Sequence, residues 1–187
     1  MSCLALTCLS ARSLPAQAVP ALPFRPGQWG AEFSVANQSV GTVLRFHTPD
    51  RAWAFGGSAN GTWVSNSENP PGDQSLADVS LRISLRRYRP LTTDVVGYWA
   101  LGGSAGISHG QFASIARGRV SGGPFAQVGA SWFILPRLSV GADAAMFLTA
   151  SRIRERETAV GMPPLVRTAT SVGFTSGLFG LVGALYF

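Results

Sequence analysis

The sequence has few charged residues, no lysine and only two cysteines. Charged residues make up 13% of the 187 residues, about half of the ~25% that soluble domains carry. All 15 basic residues are arginine. Both cysteines, Cys3 and Cys8, lie near the start, so the rest of the chain offers neither a disulfide framework nor a cysteine-based metal site.

A long apolar run is also missing. Although 46% of the residues are apolar, no stretch reaches the roughly 18 residues that a transmembrane helix needs. Low charge together with 22 glycines favours a membrane β-barrel, in which apolar residues occupy alternate positions. A soluble β-sandwich or lipocalin-like barrel is the alternative. The net charge of +6 comes without a basic helix, zinc-ligand spacing or RNA-binding aromatic motif, so we expect no nucleic-acid partner.

The N-terminal residues have features of a secretion signal. An apolar segment, Cys3–Leu9, is followed by Ala16-Gln17-Ala18, the small-x-small pattern of a signal-peptidase site. We therefore expect a signal peptide at 1–18, a proline-rich and extended periplasmic lead-in at 19–27, and one β-barrel domain at 28–187.

From Gln28 onward the apolar residues recur with a period of two, which predicts strands. The alternation is clearest at 78–86, and similar segments begin near residues 28, 40, 52, 95, 126, 139 and 170. The last segment changes parity midway, which predicts a β-bulge near Thr175–Gly177. We count eight strands; ten would require the last segment to be split.

Short and long connections alternate along the chain. The short ones contain proline and are Thr48–Arg51, Arg89–Asp94 and Leu135–Leu138. The long, polar ones are Ser65–Ala77, His109–Ser121 and Ser151–Leu165, and a hairpin-sized link lies near Asn37–Gln38. Transmembrane barrels show this asymmetry between periplasmic turns and extracellular loops. We predict an all-β, eight-stranded antiparallel up-and-down transmembrane β-barrel with both termini in the periplasm.

The chain ends on GLFGLVGALYF, in which Phe179, Leu181, Leu185 and Phe187 share one strand face. With the strand alternation and the connection lengths, this ending resembles the small bacterial outer-membrane β-barrel family of the OmpA transmembrane domain, OmpX and the opacity-type porins. The resemblance covers 28–187. It implies a monomer in the outer membrane of a Gram-negative cell, without cofactor, whose partners are lipid, lipopolysaccharide and the barrel-assembly machinery that recognises a terminal Phe187.

Three groups of candidate residues follow from this placement. Membrane-girdle candidates are Trp29, Trp53, Trp63, Trp99, Trp132 and Phe187. Lumen ion-pair candidates are Glu32, Arg45, Arg82, Arg86 and Asp143. Because a charge in a narrow interior is costly unless it is paired, we predict a network linking Glu32 and Asp143 to Arg45 and Arg82. A gate or ion pathway is the alternative.

The third group consists of arginines in the predicted outer loops: Arg117, Arg119, Arg152, Arg154, Arg156 and Arg167. Guanidinium groups bind phosphates bidentately, so these residues are candidate contacts for lipopolysaccharide phosphates. The alternative is a solvated loop in which they pair with Glu155 and Glu157.

The pattern indicates a structural or interaction role, with a narrow passive channel as the alternative, because inward glycines would thin the filling of the lumen. A lipid-modifying enzyme is less favoured. The chain has only His47 and His109, and neighbouring Ser108 and His109 point to opposite faces of a strand. A GxSxG motif is absent. We expect no catalytic residues and no metal.

Overall fold

A computed structural model of the chain describes residues 21–35, 40–64, 74–112, 114–158 and 163–187. They form eight strands: β1 (Trp29–Val35), β2 (Val40–Thr48), β3 (Arg51–Val64), β4 (Gln74–Pro90), β5 (Val95–Phe112), β6 (Ile115–Leu135), β7 (Leu138–Glu157) and β8 (Leu165–Tyr186). Each strand pairs with the next, and β1 pairs antiparallel with β8, so the sheet closes into a barrel. The predicted eight-stranded, up-and-down architecture is confirmed.

The two ends of the barrel differ in their connections. One end, called the turn end below, holds the tight turns 49–50, 91–94 and 136–137, as well as Trp29 and Phe187. At the opposite end, called the loop end, β1, β3, β5 and β7 end and β2, β4, β6 and β8 begin. The expected signal peptide and the hairpin near Asn37–Gln38 lie outside the described residues.

Two of the three predicted long loops are wrong. The segment His109–Ser121 is mostly strand, because β5 runs to Phe112 and β6 begins at Ile115. In Ser151–Leu165, β7 continues to Glu157. The predicted loop before β4 is also shorter, since β4 begins at Gln74. Polar residues do not end an antiparallel strand pair, because the backbone N–H and C=O groups form the same hydrogen bonds whether a side chain faces lipid or water.

The predicted bulge in β8 is confirmed. Ala145 of β7 is opposite Leu178, whereas Phe147 is opposite Thr175, so β8 carries one extra residue between these two pairs. An extra residue reverses the alternation of a strand. As a result Phe174 and Phe179 both lie on the outside, at 66% and 73% exposure, although one has an even and the other an odd number in the sequence.

The first two strands are much shorter than the others. β1 pairs with β8 only between Gly30–Val35 and Leu181–Tyr186, and β2 pairs with β3 no further than Gly57. Among the described residues, the loop-end halves of β3 and β8 therefore have a strand neighbour on one side only.

The apolar core fills the turn end of the barrel. It consists of Phe24, Leu44, Phe46, Ala52, Ala54, Tyr88, Val96, Tyr98, Ala184 and Tyr186. Phe24 belongs to the proline-rich lead-in, and its ring stacks on Phe46 with a centroid distance of 4.2 Å. The lead-in is therefore not simply extended: it turns at Gly27 (φ 82°) and inserts Phe24 into the lumen. No helix in the described ranges is long and apolar enough to cross a membrane.

Candidate functional site

The lumen above the core contains one buried ion pair. Arg86 of β4 donates two hydrogen bonds to Glu32 of β1, from Nη1 to Oε2 at 2.7 Å and from Nη2 to Oε1 at 2.8 Å. Both side chains are 3% exposed. The guanidinium of Arg86 also lies 4.7 Å from the ring centroid of Tyr98. Paired, bidentate geometry is what makes charges tolerable in such an interior.

Asp143 of β7 forms a second polar group. Its Oδ2 accepts hydrogen bonds from Gln127 Nε2 and, at 3.3 Å, from the hydroxyl of Tyr98. Arg82 of β4 lies with its guanidinium 4.8 Å from the ring centroid of Phe147 and is attracted electrostatically by Asp143. Tyr98 thus links the ion pair, the Asp143 group and the aromatic core.

Arg45 does not belong to this network, contrary to the prediction. It lies on the outside of β2, and its guanidinium stands 5.2 Å from the ring centroid of Trp29. The lumen face of β2 instead carries Thr42, Leu44 and Phe46, which are buried. The more apolar face of this short strand, with Leu44 and Phe46, packs into the aromatic core, whereas Val43, Arg45 and His47 lie on the outside. The arginine that pairs with Glu32 is Arg86.

A cavity of about 440 Å³ lies in the lumen above the ion pair. Its charged lining residues are Glu32, Arg82, Arg86 and Asp143, and hydroxyl groups are contributed by Ser34, Thr42, Ser80, Ser84, Ser104, Ser121, Thr149 and Thr175. The stacked rings of Phe125 and Phe147, 5.3 Å apart, form an apolar wall. The rings of Phe24, Phe46, Tyr88 and Tyr186 do not line this cavity, because they fill the lumen between it and the turn end.

Five of the six girdle candidates lie on the outside near the turn end. Trp29, Trp53, Trp99, Trp132 and Phe187 are 40–64% exposed there. The sixth, Trp63, is 71% exposed near the loop end of β3. An exterior band of apolar side chains lies between these two levels, including Phe55, Leu81, Leu101, Val128 and Leu148.

The candidate arginines lie on strands rather than in loops, which corrects their predicted position. Arg117 and Arg119 belong to β6, Arg152, Arg154 and Arg156 to β7, and Arg167 to β8. The register divides them between the two faces of the sheet. Arg117, Arg119 and Arg167 share the alternation of lumen-facing residues, whereas Arg152, Arg154 and Arg156 share that of Met146 and Leu148 on the outside.

The two arginine sets have different surroundings. Arg117 pairs with Glu155, with Nε 3.3 Å from Oε1. By contrast, no described carboxylate lies within 4.0 Å of the three outward arginines of β7. Arg152 and Arg154 border an exterior groove of about 850 Å³, lined also by Ala77, Val79, Ile107, Ser108, His109, Gly118, Arg119, Val120, Val166 and Thr168.

Comparison with known proteins identifies the architecture. No family model matches the chain, and no curated protein matches it in sequence. Among solved structures, the outer membrane protein OprG of Pseudomonas aeruginosa superposes with a TM-score of 0.64 at 10% identity, over 87% of this chain and 97% of OprG. The chain has the fold of a small outer-membrane β-barrel.

Two other structures with this outer-membrane barrel fold are similar to a lower degree. AlkL gives a TM-score of 0.49 at 13% identity, over 95% of this chain and 97% of AlkL. The attachment invasion locus protein Ail of Yersinia pestis gives 0.41 at 13% identity, over 87% of this chain and 99% of Ail. At these identities the likeness concerns the fold and carries no ligand or partner with it.

Several residues of the barrel's interior were missed from sequence. Phe24 lies in a proline-rich segment without strand periodicity, and nothing local indicates that it enters the lumen. Gln127 and Tyr98 contact Asp143 across neighbouring strands; their inward parity was a usable signal, but the register that brings them together was not. The stacking of Arg82 on Phe147 likewise depends on the register.

The described residues bring together no catalytic arrangement that we recognise. His47 and His109 are exposed on the outside, and Ser108 lies on the opposite face from His109. Within the described ranges, no group of three or more His, Cys, Asp or Glu side chains is placed to hold a metal ion.

Proposed function

We propose that the protein is an integral barrel of the outer membrane whose outward arginines on β7 bind the phosphate groups of lipopolysaccharide. The observation that carries this proposal is the sequence of outward side chains along β7: apolar from Leu138 to Ala150, then Arg152, Arg154 and Arg156. In this proposal the loop end faces outward and both ends of the barrel domain lie in the periplasm.

The apolar part of β7 has the length of a membrane span. At about 3.3 Å per residue the distance from Leu138 to Ala150 is about 40 Å, and a strand tilt of about 45° reduces it to about 28 Å along the membrane normal. The hydrocarbon core of a bilayer is about 30 Å thick. Arg152 therefore lies where the headgroups begin, with the tryptophans of the turn end at the other interface.

The surroundings of the three arginines suit a phosphate-bearing amphiphile. The groove beside Arg152 and Arg154 combines these cations with the apolar side chains of Val79, Ile107 and Val120. Guanidinium groups can bind phosphate oxygens through paired N–H donors, and the apolar wall can contact an acyl chain. Only three of the six predicted arginines belong to this group, because Arg117, Arg119 and Arg167 share the alternation of lumen-facing residues and Arg117 pairs with Glu155.

The test compares two triple variants of the full chain refolded in detergent micelles. Arg152→Gln, Arg154→Gln and Arg156→Gln are combined, and binding of bisphosphorylated lipid A is measured by titration. If each exposed contact contributes about 0.5 kcal/mol, the affinity falls about tenfold. We expect dephosphorylated lipid A to bind weakly to both the natural chain and the triple variant. Added salt should reduce the difference in lipid A affinity between these two proteins.

The matched control removes three exterior arginines at the turn end, Arg51, Arg87 and Arg89, with the same change in charge. We expect it to keep the affinity of the natural chain. Equal losses in the two triple variants would reduce the effect to net charge, and an unchanged affinity of the β7 variant would reject the proposal.

Because aromatic side chains fill the lumen at the turn end, a closed lumen is favoured and a passive channel is not. We propose further that the role is non-catalytic and that the protein acts as a monomer. Membrane insertion by the barrel-assembly machinery through the terminal Phe187 belongs to the same proposal.

A further inference from the structure

We propose that the exterior groove at the loop end selects phosphomonoesters over phosphodiesters, and that a terminal phosphate binds there between His109 of β5 and Arg154 of β7. This inference rests on the lipid contact proposed above. It names the phosphate chemistry that the contact accepts and adds His109 to the residues that form it. The strand register, a missing side chain and the distribution of charge carry the argument.

The binding site is a notch in the outer surface of the sheet. His109 lies opposite Gly118 of β6, and Gly118 lies opposite Arg154, so the three residues form one row across neighbouring strands. Adjacent strands are about 4.8 Å apart, which separates the backbones of His109 and Arg154 by about 10 Å. Between them Gly118 has no side chain, and a Cβ built there would meet nothing within 4 Å. The notch is therefore an open space flanked by two side chains that can donate hydrogen bonds.

The outer face of the sheet around the notch is cationic. Along β7 the sign of the charge changes with the face: the three outward arginines lie outside, whereas Glu155 and Glu157 have the parity of the lumen face. Glu155 pairs with Arg117 inside. On β4, Asp78 shares the parity of the inward Ser80. Among the described residues of β4 to β8 at this level, no carboxylate lies on the outer face to neutralise Arg154.

The next row towards the turn end is apolar. Val79, Ile107 and Val120 lie opposite one another on β4, β5 and β6, beside Arg152 of β7. These residues line the same groove as His109, Gly118 and Arg154. An amphiphile whose phosphate occupies the notch therefore has an apolar surface for its acyl chain on the membrane side. The groove suits a phosphate attached to an acyl chain better than a free phosphate.

A phosphomonoester matches two donors on opposite sides of the notch. At pH 7 it carries about 1.5 to 2 negative charges and three acceptor oxygens. One oxygen can accept from the guanidinium of Arg154 and another from the imidazole N–H of His109. In a phosphodiester a second substituent takes the place of the third oxygen, and the group carries a single negative charge. That substituent competes for the space between the two side chains, so the diester binds more weakly.

The test uses two lipids that differ only at the phosphate. Dioleoyl phosphatidate is a monoester, and dioleoyl phosphatidylmethanol is the corresponding diester. The full chain is refolded in micelles of an uncharged detergent and titrated with each lipid at neutral pH. The natural chain is expected to bind phosphatidate about tenfold more tightly, the equivalent of one charge-assisted hydrogen bond.

His109→Phe tests the contribution of the imidazole, because it keeps a ring and removes the N–H donor. It should reduce the preference for phosphatidate to about twofold or less. His47→Phe is the matched control, since His47 is also exposed on the outside but lies at the turn end. We expect this control to keep the preference of the natural chain.

Gly118→Leu tests the notch itself, because it fills the space without changing a charge. It should weaken phosphatidate binding about tenfold or more, since the phosphate then loses at least one charge-assisted contact. Gly103→Leu is the control: Gly103 shares the outward parity of Leu101, and a Cβ there would also meet nothing within 4 Å. It lies outside the groove and should bind phosphatidate as the natural chain does. Heat-modifiable gel migration checks that each variant is a folded barrel.

Several results would overturn this inference. They are equal affinities of the natural chain for the two lipids, a preference that survives His109→Phe, full phosphatidate affinity in Gly118→Leu, or equal losses in Gly118→Leu and Gly103→Leu. The proposed function fails on a different result, an unchanged lipid A affinity after replacement of the three β7 arginines. Lipid A binding that depends on those arginines, together with equal affinities for the two test lipids, would keep the lipopolysaccharide contact and reject the site at His109.

Discussion

The turn end and the loop end of this barrel share one sheet but are stabilised differently. At the turn end, large aromatic side chains fill the lumen, and a buried ion pair is joined to them through Tyr98. At the loop end the described residues of β8 from Leu165 to Ser176 are exposed on both faces, and hydroxyl pairs such as Ser151–Ser171, at 2.8 Å, bridge the strands.

This difference shows that strand pairing and interior packing are separable. Backbone hydrogen bonds continue the strands into the loop end, whereas apolar burial and the buried charge pair are concentrated at the turn end. We therefore expect stability to depend mainly on turn-end residues and lipid contacts mainly on loop-end residues. The following substitutions test that division, in order of decreasing effect.

The largest effect is expected from Arg86→Met. It leaves Glu32 buried without its partner, which typically costs about 3–5 kcal/mol. The free energy of unfolding is measured by urea titration of the protein folded in phospholipid vesicles. The double variant Glu32→Gln, Arg86→Met should recover most of the loss, because both charges are gone. A double variant as unstable as the single one would contradict this account of the pair.

Phe24→Ala tests the contribution of the lead-in. Phe24 is 4% exposed and packs among Phe46, Tyr88 and Tyr186. Truncating a buried phenylalanine costs about 3 kcal/mol or more. The matched variant at the loop end is Phe112→Ala, whose side chain is 41% exposed and whose loss should cost less than about 1 kcal/mol. Similar losses in the two variants would remove the distinction between the ends.

Gly129→Ala tests how closely Tyr98 packs on the barrel wall. A Cβ at this position would lie 2.6–2.8 Å from atoms of the Tyr98 side chain, so the ring must move away from Asp143. Such overpacking costs about 1–3 kcal/mol. Gly103→Ala is the control, since its Cβ would meet nothing within 4 Å. Urea unfolding of both variants decides between a specific clash and a general intolerance of alanine in these strands.

The smallest effect concerns Asp50, in the exposed turn between β2 and β3. The hydroxyl of Thr48 donates to its carboxylate at 2.8 Å, which lowers the pKa of Asp50 below its usual value, with weaker help from Arg51 and Arg87. A carboxylate whose pKa is lowered in the folded protein stabilises the fold at pH values above its ordinary pKa. This stabilisation is lost as the pH falls through the lowered pKa. Asp50→Asn should flatten this acid dependence slightly. An unchanged pH profile of unfolding would show that the contact contributes nothing measurable.

The sequence predicted the fold because the period-two pattern is imposed by two different environments. Apolar side chains face outward, and glycine, serine and charged residues fill a narrow lumen, so the strand count and the bulge in β8 could be read directly. The ends of the long strands could not. Above the apolar band the outward residues become polar, which has the same appearance in sequence as a loop, and Arg152 to Arg156 were therefore placed in one.

The candidate sites were harder to predict for a related reason. Parity tells which residues share a face but not which face is inside. The apolar face of β2, with Leu44 and Phe46, packs into the lumen, whereas the apolar face of the longer strands lies outside. Arg45 was misplaced on this account. Neither does parity give the register: Glu32 and Arg86 are 54 residues apart, and only the tilt and stagger of the closed sheet bring them together.

The short first hairpin has a mechanical consequence. The two junctions that β1 makes, with β2 and with β8, are the shortest of the ring and have six residue pairs each; at the second, Gly30–Val35 meets Leu181–Tyr186. A closed sheet that is pulled apart is expected to open at a strand junction with few hydrogen-bonded residue pairs. The β1–β8 junction pairs the first strand with the last, so of the strand junctions it has the highest sequence separation and should be the last to form. The apolar C-terminal segment that closes the barrel is thus also the place where the barrel would first come apart.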